Sequence, residues 1–264
     1  MKNITVIVLT FHTPENIIFD CLSSIDKNIR VLIVENSKTF SHKDKVLSKF
    51  NNVDILCTGE NLGYGGGNNF AINEIKTDYI LILNPDVICA KDFFSNIIDV
   101  IDVDKDFSII GCQYSNDKIF MPAGFFNSKE NKEFTTNLRK DKIDNLTKVD
   151  WVTGCSMLIN LKKFENKKIF DENFFLYFEE FDLCKSLKDK GEKVYSSKKL
   201  KIHHLGFKSS FDENSNYKKN IDRLREWHWM WSTFYFYKKN FSYLYAFKKI
   251  IRKLISSFFK TIFY

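Results

Sequence analysis

The sequence predicts an α/β protein built on a mostly parallel sheet with helices on both faces. Three observations carry this. Short apolar, β-branched runs recur at Ile4–Leu9, Val31–Val34, Val53–Cys57 and Tyr79–Leu83, the composition of strands buried on both faces. Stretches of helical spacing alternate with them, as a parallel sheet requires. Polar residues able to do chemistry, Thr10, Glu35 and Asp86, stand at or just past the carboxyl ends of these runs, where such sheets bind ligands.

The elements follow in order. After the first strand, Pro14-Glu15-Asn16 opens a helix running to about Ile25, since proline is tolerated in a first turn. The strand Val31–Val34 ends at Glu35-Asn36, and helical spacing returns near Lys43–Phe50. The strand Val53–Cys57 leads to a glycine-rich segment, Asn61–Asn69, expected to be a loop before a helix over Phe70–Ile75. The strand Tyr79–Leu83 is broken at Asn84-Pro85-Asp86. From Phe93 the pattern loosens. Phe107–Cys112 reads as a strand, 127–148 as a polar stretch, and Trp151–Ile159 as another strand. An acid cluster then starts a helix to about Lys190, closed by Gly191, and Val194–Tyr195 and Lys201–His204 are short extended pieces.

Composition excludes several classes. At 264 residues and 44% apolar content the chain can bury a sizeable core. Its six cysteines are widely spaced without a CxxC pair, which fits reduced thiols in a cytoplasmic protein rather than a disulfide framework or a zinc site. No signal peptide and no run of about 18 apolar residues is expected. The formal net charge of +7 equals the seven cations that follow Glu226, a stretch with no acid. The basic character therefore belongs to the tail, and a nucleic-acid-binding core is not indicated.

Three segments carry candidate chemistry. In Phe170–Cys184 five acids sit among six aromatics, with Glu179, Glu180 and Asp182 inside four residues. Carboxylates buried beside each other are raised toward neutrality, which suits a general base; acids in a first helical turn also simply suit the helix dipole. Asp86 past a buried strand offers a carboxylate to a divalent cation, or is only a turn residue. Gly63–Asn69 resembles a phosphate-cradling loop, but lacks both the Gly-Lys-Ser/Thr of a Walker loop and the third glycine of the dinucleotide fingerprint. His203-His204 offers imidazole.

Taken together, "NLGYGGGNN", "LILNPDV" and "FDENFFLYFEEFDLC" in this order resemble the inverting family-two glycosyltransferases of GT-A fold, in particular their bacterial rhamnosyltransferase-like branch, over about residues 4–210. The resemblance implies a Mg²⁺ or Mn²⁺ held by Asp86, with His203 near the metal and diphosphate. It implies that Thr10, Glu35, Asn61, Gly63, Asn69 and Asn84 line the nucleotide-sugar site. Glu180 falls at the position of the catalytic base, with Glu179 and Asp182 as alternatives, and Trp151 is a candidate acceptor wall. The family often carries Asp at the positions of Glu35 and Glu180, and Asn84 leaves the metal motif one charge short. The implied donor is a dTDP- or UDP-linked sugar, dTDP-rhamnose being favoured, and the implied acceptor a saccharide or polyprenyl-linked intermediate of surface polysaccharide.

Beyond a domain over residues 1–210, residues 211–264 form a basic, aromatic extension with helical spacing. Such a helix suits an anionic membrane surface, and the expected location is peripheral on the inner face of the plasma membrane. The competing reading packs it on the domain or in a homodimer. Two other functions remain open at this level. A nucleotidyltransferase would carry a glycine-rich basic loop where this chain has Thr10-Phe11-His12-Thr13-Pro14. A non-catalytic membrane-associated module would keep the fold and lack turnover.

Overall fold

The computed structural model describes residues 3–114, 122–126, 135–137, 144–206 and 218–263. The first half alternates as expected: β1 (Ile4–Thr10), α1 (Glu15–Ser23), β2 (Arg30–Glu35), α2 (Lys43–Lys49), β3 (Val53–Cys57), α3 (Gly63–Asn73), β4 (Tyr79–Leu83), β5 (Val87–Cys89) and α4 (Phe93–Val103). The second half is richer in short strands: β6 (Ile109–Tyr114), β7 (Ala123–Phe126), β8 (Thr135–Asn137), β9 (Thr147–Val149), β10 (Trp151–Val152) and β11 (Ser156–Asn160). Then come α5 (Glu179–Asp189), β12 (Val194–His204), α6 (Lys218–Asn240) and α7 (Tyr243–Phe263).

Among the described residues the main sheet runs β3-β2-β1-β4-β11-β6-β12-β5, with β9 on β12, and β10-β7-β8 form a second small sheet. β3, β2, β1 and β4 are mutually parallel. β11 runs antiparallel between β4 and β6, so the sheet is mixed at its centre.

Alternate residues of each central strand feed separate cores, as the two-residue period of a strand demands. Val6, Val8, Val31, Ile33, Leu81 and Leu83 face α1 and α4. Ile7, Leu32, Val34, Ile80 and Ile82 face Ala71 and Ile72 of α3 and Leu183, Cys184 and Leu187 of α5. These strand residues are at most 1% exposed, each contributing about 1.5–3 kcal/mol of apolar transfer.

Four expectations need correction. The segment from Phe93 forms a helix, α4, whose Phe93, Phe94, Ile97 and Val100 are buried. The glycine-rich segment is itself helix from Gly63, not a loop. Trp151–Ile159 is two strands in two different sheets, separated at 153–155. The two extended pieces after Gly191 are one strand, β12, bulged between Ser197 and Lys201. Part of the polar stretch 127–148 lies outside the described residues.

The extension packs on the acid cluster. Phe174, Phe236, Tyr237 and Ala246 form a third apolar cluster joining that segment to α6 and α7. Lys239 Nζ on α6 reaches Asp171 Oδ2 at 2.8 Å and Asp182 Oδ2 at 2.7 Å.

Candidate active site

β1 and β2 end in register, Thr10 beside Glu35. Glu35 is buried and its carboxylate is held by the chain itself: Thr10 Oγ1 donates to Oε2 at 2.6 Å, and Ser37 Oγ and the His12 N–H donate to Oε1 at 2.7 and 3.1 Å. These bonds fix the turn after β1, where His12 takes a left-handed φ of 50°. The neighbouring Asn36 ties this turn to α3. Its Nδ2 donates to Asn61 Oδ1 at 3.0 Å and to the Gly63 carbonyl at 2.9 Å, and its Oδ1 accepts the Leu62 N–H at 2.9 Å.

Glycine at the start of α3 is a matter of close approach. Gly63 has φ +74°, and a Cβ there would run into the Phe175 carbonyl oxygen. A Cβ at Gly67 would stand 2.6 Å from a Leu9 methyl of β1, and one at Gly65 would stand 3.0 Å from Phe170 Cβ. The helix thus lies directly on β1 and on the acid segment. Asn69 does not face a ligand: its Oδ1 accepts the Ile169 and Phe170 N–H groups, each at 3.0 Å, and its Nδ2 donates to the Phe170 carbonyl and to Glu172. With both lone pairs and both N–H bonds used, Asn69 anchors the acid segment instead of binding nucleotide sugar.

Asp86 is 1% exposed in the turn between β4 and β5. The antiparallel pairing of β12 with β5 sets His204 opposite Val87, and His204 Nε2 lies 3.2 Å from Asp86 Oδ1. His203, the sequence-based candidate, is exposed on the alternate face; the imidazole at Asp86 is that of His204. A carboxylate oxygen and an imidazole nitrogen this close fit a cation that takes the rest of its shell from diphosphate and water. No cluster of three or more His, Cys, Asp or Glu fit to hold a metal occurs among the described residues.

The three acids of the cluster separate cleanly. Tyr177 and Phe178, with φ of 72° and 69°, turn the chain sharply into α5. Asp182 points to the extension, paired with Lys239, and burial pushes its carboxyl up against the pull of that cation. It is therefore removed from the candidates for the base. Glu179 is 4% exposed beside Gly65, its Oε2 without a hydrogen-bond partner among the described residues. Burial, then the charge of Glu180, pushes it well above the usual carboxylate range. Glu180 stands against Gly154, between β10 and β11. Burial raises it to about 6, while the N–H groups of Glu180, Gly154 and Phe181 favour its charged form. Two adjacent carboxyls are thus raised unequally, Glu179 well above the usual range and Glu180 to about 6.

The Asn84 N–H donates to the Cys155 carbonyl at 2.9 Å. Asn84, two residues before Asp86, is thereby tied to Cys155, the neighbour of the Gly154 that touches Glu180. Trp151 is 3% exposed with its ring 5.0 Å from that of Phe181, a core residue rather than an acceptor wall. Asn36, Gly154 and Lys239 were not singled out from sequence, and of the imidazole pair His203-His204 the metal role went to His203 rather than His204. Asn36 had a visible signal in its place at the end of β2; Lys239 had none.

A protein-family model described as "Glycosyl transferase family 2" matches residues 5–166. Rhamnosyltransferase WbbL of Escherichia coli K12 is 26% identical over 209 residues, covering 72% of this chain and 78% of its own. An N-acetylglucosaminyl-diphospho-decaprenol L-rhamnosyltransferase of Mycobacterium tuberculosis is 22% identical over 248 residues, with 82% and 81% covered. Among solved structures, GalNAc-T7 with UDP, GalNAc and Mn²⁺ superposes with a TM-score of 0.62 at 12% identity, over 91% of this chain and 52% of that one. The last likeness bears on fold alone, and it is the GT-A fold. The family model spans more than half of the chain, the glycine helix, Asp86 and Gly154 included, and the chain belongs to Glycosyl transferase family 2.

Proposed function

We propose that this glycosyltransferase inverts the anomeric carbon of a sugar carried on a nucleoside diphosphate, with dTDP-rhamnose as the favoured donor, and delivers it to a lipid-linked saccharide of surface polysaccharide. The observation that supports the reading is the Asn84–Cys155 hydrogen bond, which ties the turn bearing Asp86 to the segment whose Gly154 touches the raised carboxyl of Glu180. The rhamnosyltransferase names of two relatives support the donor, and the decaprenol-linked acceptor of one supports the acceptor class.

Asp86 and His204 would hold a Mg²⁺ or Mn²⁺, which when bound supplies positive charge against the departing diphosphate. Thr10, Glu35, Asn61, Gly63 and Asn84 edge the donor side. Glu180, ionised at neutral pH, takes the proton from the acceptor hydroxyl as that oxygen attacks. One displacement inverts the carbon. Calorimetry of dTDP and UDP, each with and without Mn²⁺, tests the donor half: metal-dependent binding lost in Asp86→Ala is expected. Binding that is unchanged by Mn²⁺ and by Asp86→Ala would overturn the assignment.

The extension supports a peripheral membrane location. Leu244, Phe247 and Ile255 are 86%, 52% and 50% exposed along α7, with Lys248 and Arg252 exposed between them, while Ala246 and Ile250 face inward. A basic, apolar helix face complements anionic lipid. No described helix is long and apolar enough to cross a membrane. Co-sedimentation with phosphatidylglycerol vesicles should fall in Leu244→Glu/Phe247→Glu; a variant that instead dissociates a dimer and binds vesicles as before would assign the face to a second copy of the chain.

A further inference from the structure

Tyr64 stands behind the proposed base. It lies in the first turn of α3, its ring meeting Phe170 edge-on with centroids 5.8 Å apart. Its backbone N–H donates to the Phe175 carbonyl at 2.9 Å. Its hydroxyl donates to the Gly154 carbonyl. Gly154 fills the space between Tyr64 and Glu180: a Cβ there would lie 3.3 Å from the Tyr64 hydroxyl and 3.5 Å from the Glu180 carboxyl carbon. The Gly154 N–H also serves the Glu180 carboxyl and favours its charged form.

Residues 153–155 belong to neither β10 nor β11, so no sheet ladder sets the orientation of Gly154. Its neighbours are tied by the Thr153 N–H to the Pro122 carbonyl at 3.1 Å and by the Cys155 carbonyl to Asn84 at 2.9 Å. The Gly154 carbonyl is tied by Tyr64.

We infer that Tyr64 is a positioning residue for Glu180: its hydroxyl fixes Gly154, and Gly154 in turn presents the backbone N–H that steadies the carboxylate. This rests on Glu180 being the base. Tyr64 serves as a donor and not as an acid, because burial and the charges of Glu180 and Glu179 hold its phenol well above the ordinary range. The ionisable groups facing Glu180 are Glu179 and Cys184 on its own helix and Tyr64 on α3, with Asp150 beyond Cys184 and Cys155 beside Tyr64.

In Tyr64→Phe the ring keeps its place on Phe170, so the burial of Glu180 stays, while Gly154 is released and its N–H is less well aimed. A donor lost from the charged form raises a carboxyl pKa. The test is a carboxyl titration by NMR of protein labelled with ¹³C at glutamate Cδ, the Glu180 signal being assigned by its disappearance in Glu180→Gln. The wild-type midpoint is expected near 6, and that of Tyr64→Phe higher by about half a unit to one unit, the size of a partly lost hydrogen bond to a charged group. The acid limb of the kcat profile should move with it. A merely structural tyrosine would lower the unfolding temperature and leave the midpoint in place; an unchanged or lowered midpoint in a folded Tyr64→Phe protein overturns the inference. Full sugar transfer by Glu180→Gln would sink the base reading alone, leaving the titration result standing.

Discussion

Replacing Glu180 with Gln should abolish transfer and, at neutral pH, make the protein more stable. The Glu180 carboxyl titrates near 6 in the fold against a reference of 4.5. The folded state therefore holds the proton more tightly, and stability falls as pH rises from about 4.5 through about 6, then levels. A shift of this size corresponds to about 2 kcal/mol of folding free energy forgone above pH 7. Glutamine carries no such cost. Its amide can offer only its oxygen to the N–H groups that serve the carboxylate, so about 2 kcal/mol is the ceiling.

The assay is thermal or urea unfolding of both proteins at pH 5 and pH 7.5. The variant should gain on wild type at both pH values and more at the higher one, where the gain reaches up to about 4–8 °C for a chain of this size. Wild-type turnover should rise with pH through about 6 as Glu180 loses its proton, and the variant should show none. Equal stability at both pH values would mean that Glu180 is solvated, and the argument for a raised base would fall.

Three further substitutions probe the frame around it. Gly63→Ala should prevent α3 from docking, because both φ and the Phe175 carbonyl forbid a Cβ; loss of soluble folded protein by circular dichroism is expected. Lys239→Met leaves buried Asp182 without its cation and should cost about 1–3 kcal/mol in urea unfolding, with much of it recovered in Lys239→Met/Asp182→Asn. His204→Ala should weaken Mn²⁺-dependent nucleotide binding by calorimetry at least tenfold, whereas His203→Ala, on the exposed face, should leave it unchanged.

The parallel half of the fold was legible because buried parallel strands are nearly pure apolar runs, and β1 to β4 begin and end close to where those runs do. The glycine segment misled for a physical reason. Glycine disfavours helix by about 1 kcal/mol per residue, yet Gly63, Gly65 and Gly67 are needed for α3 to touch β1 and the acid segment. The choice between His203 and His204 depends on strand phase, and the bulge between Ser197 and Lys201 resets that phase; spacing alone could not decide it. Which acid serves as base turns on contacts distant in sequence, Asp182 to Lys239 and Glu180 to Gly154. The residues alone showed only a cluster of acids; the family resemblance put Glu180 at the base position and left Glu179 and Asp182 as alternatives.

The extension and the acid segment are one structure, and this bears on where a functional unit can end. Two consecutive non-glycine residues, Tyr177 and Phe178, sit in the left-handed region, a conformation costing about 1–3 kcal/mol each. Packing from α6 holds them there. Phe178 meets Phe236 and Tyr237 with centroids 5.4 and 6.5 Å apart, Ser232 Oγ donates to the Leu176 carbonyl at 2.8 Å, and Trp231 Nε1 donates to the Asn173 carbonyl at 3.2 Å. A chain ending at residue 210, the boundary read from sequence, keeps every proposed catalytic and metal residue but loses this support. Hydrogen exchange by mass spectrometry should show peptides over 172–182 protected in the full chain and exchanging freely in the truncated one, while β1 and β4 keep their protection. Equal protection over 172–182 would mean that the turn before Glu179 and Glu180 holds its strained form without α6, and that the extension serves the membrane alone.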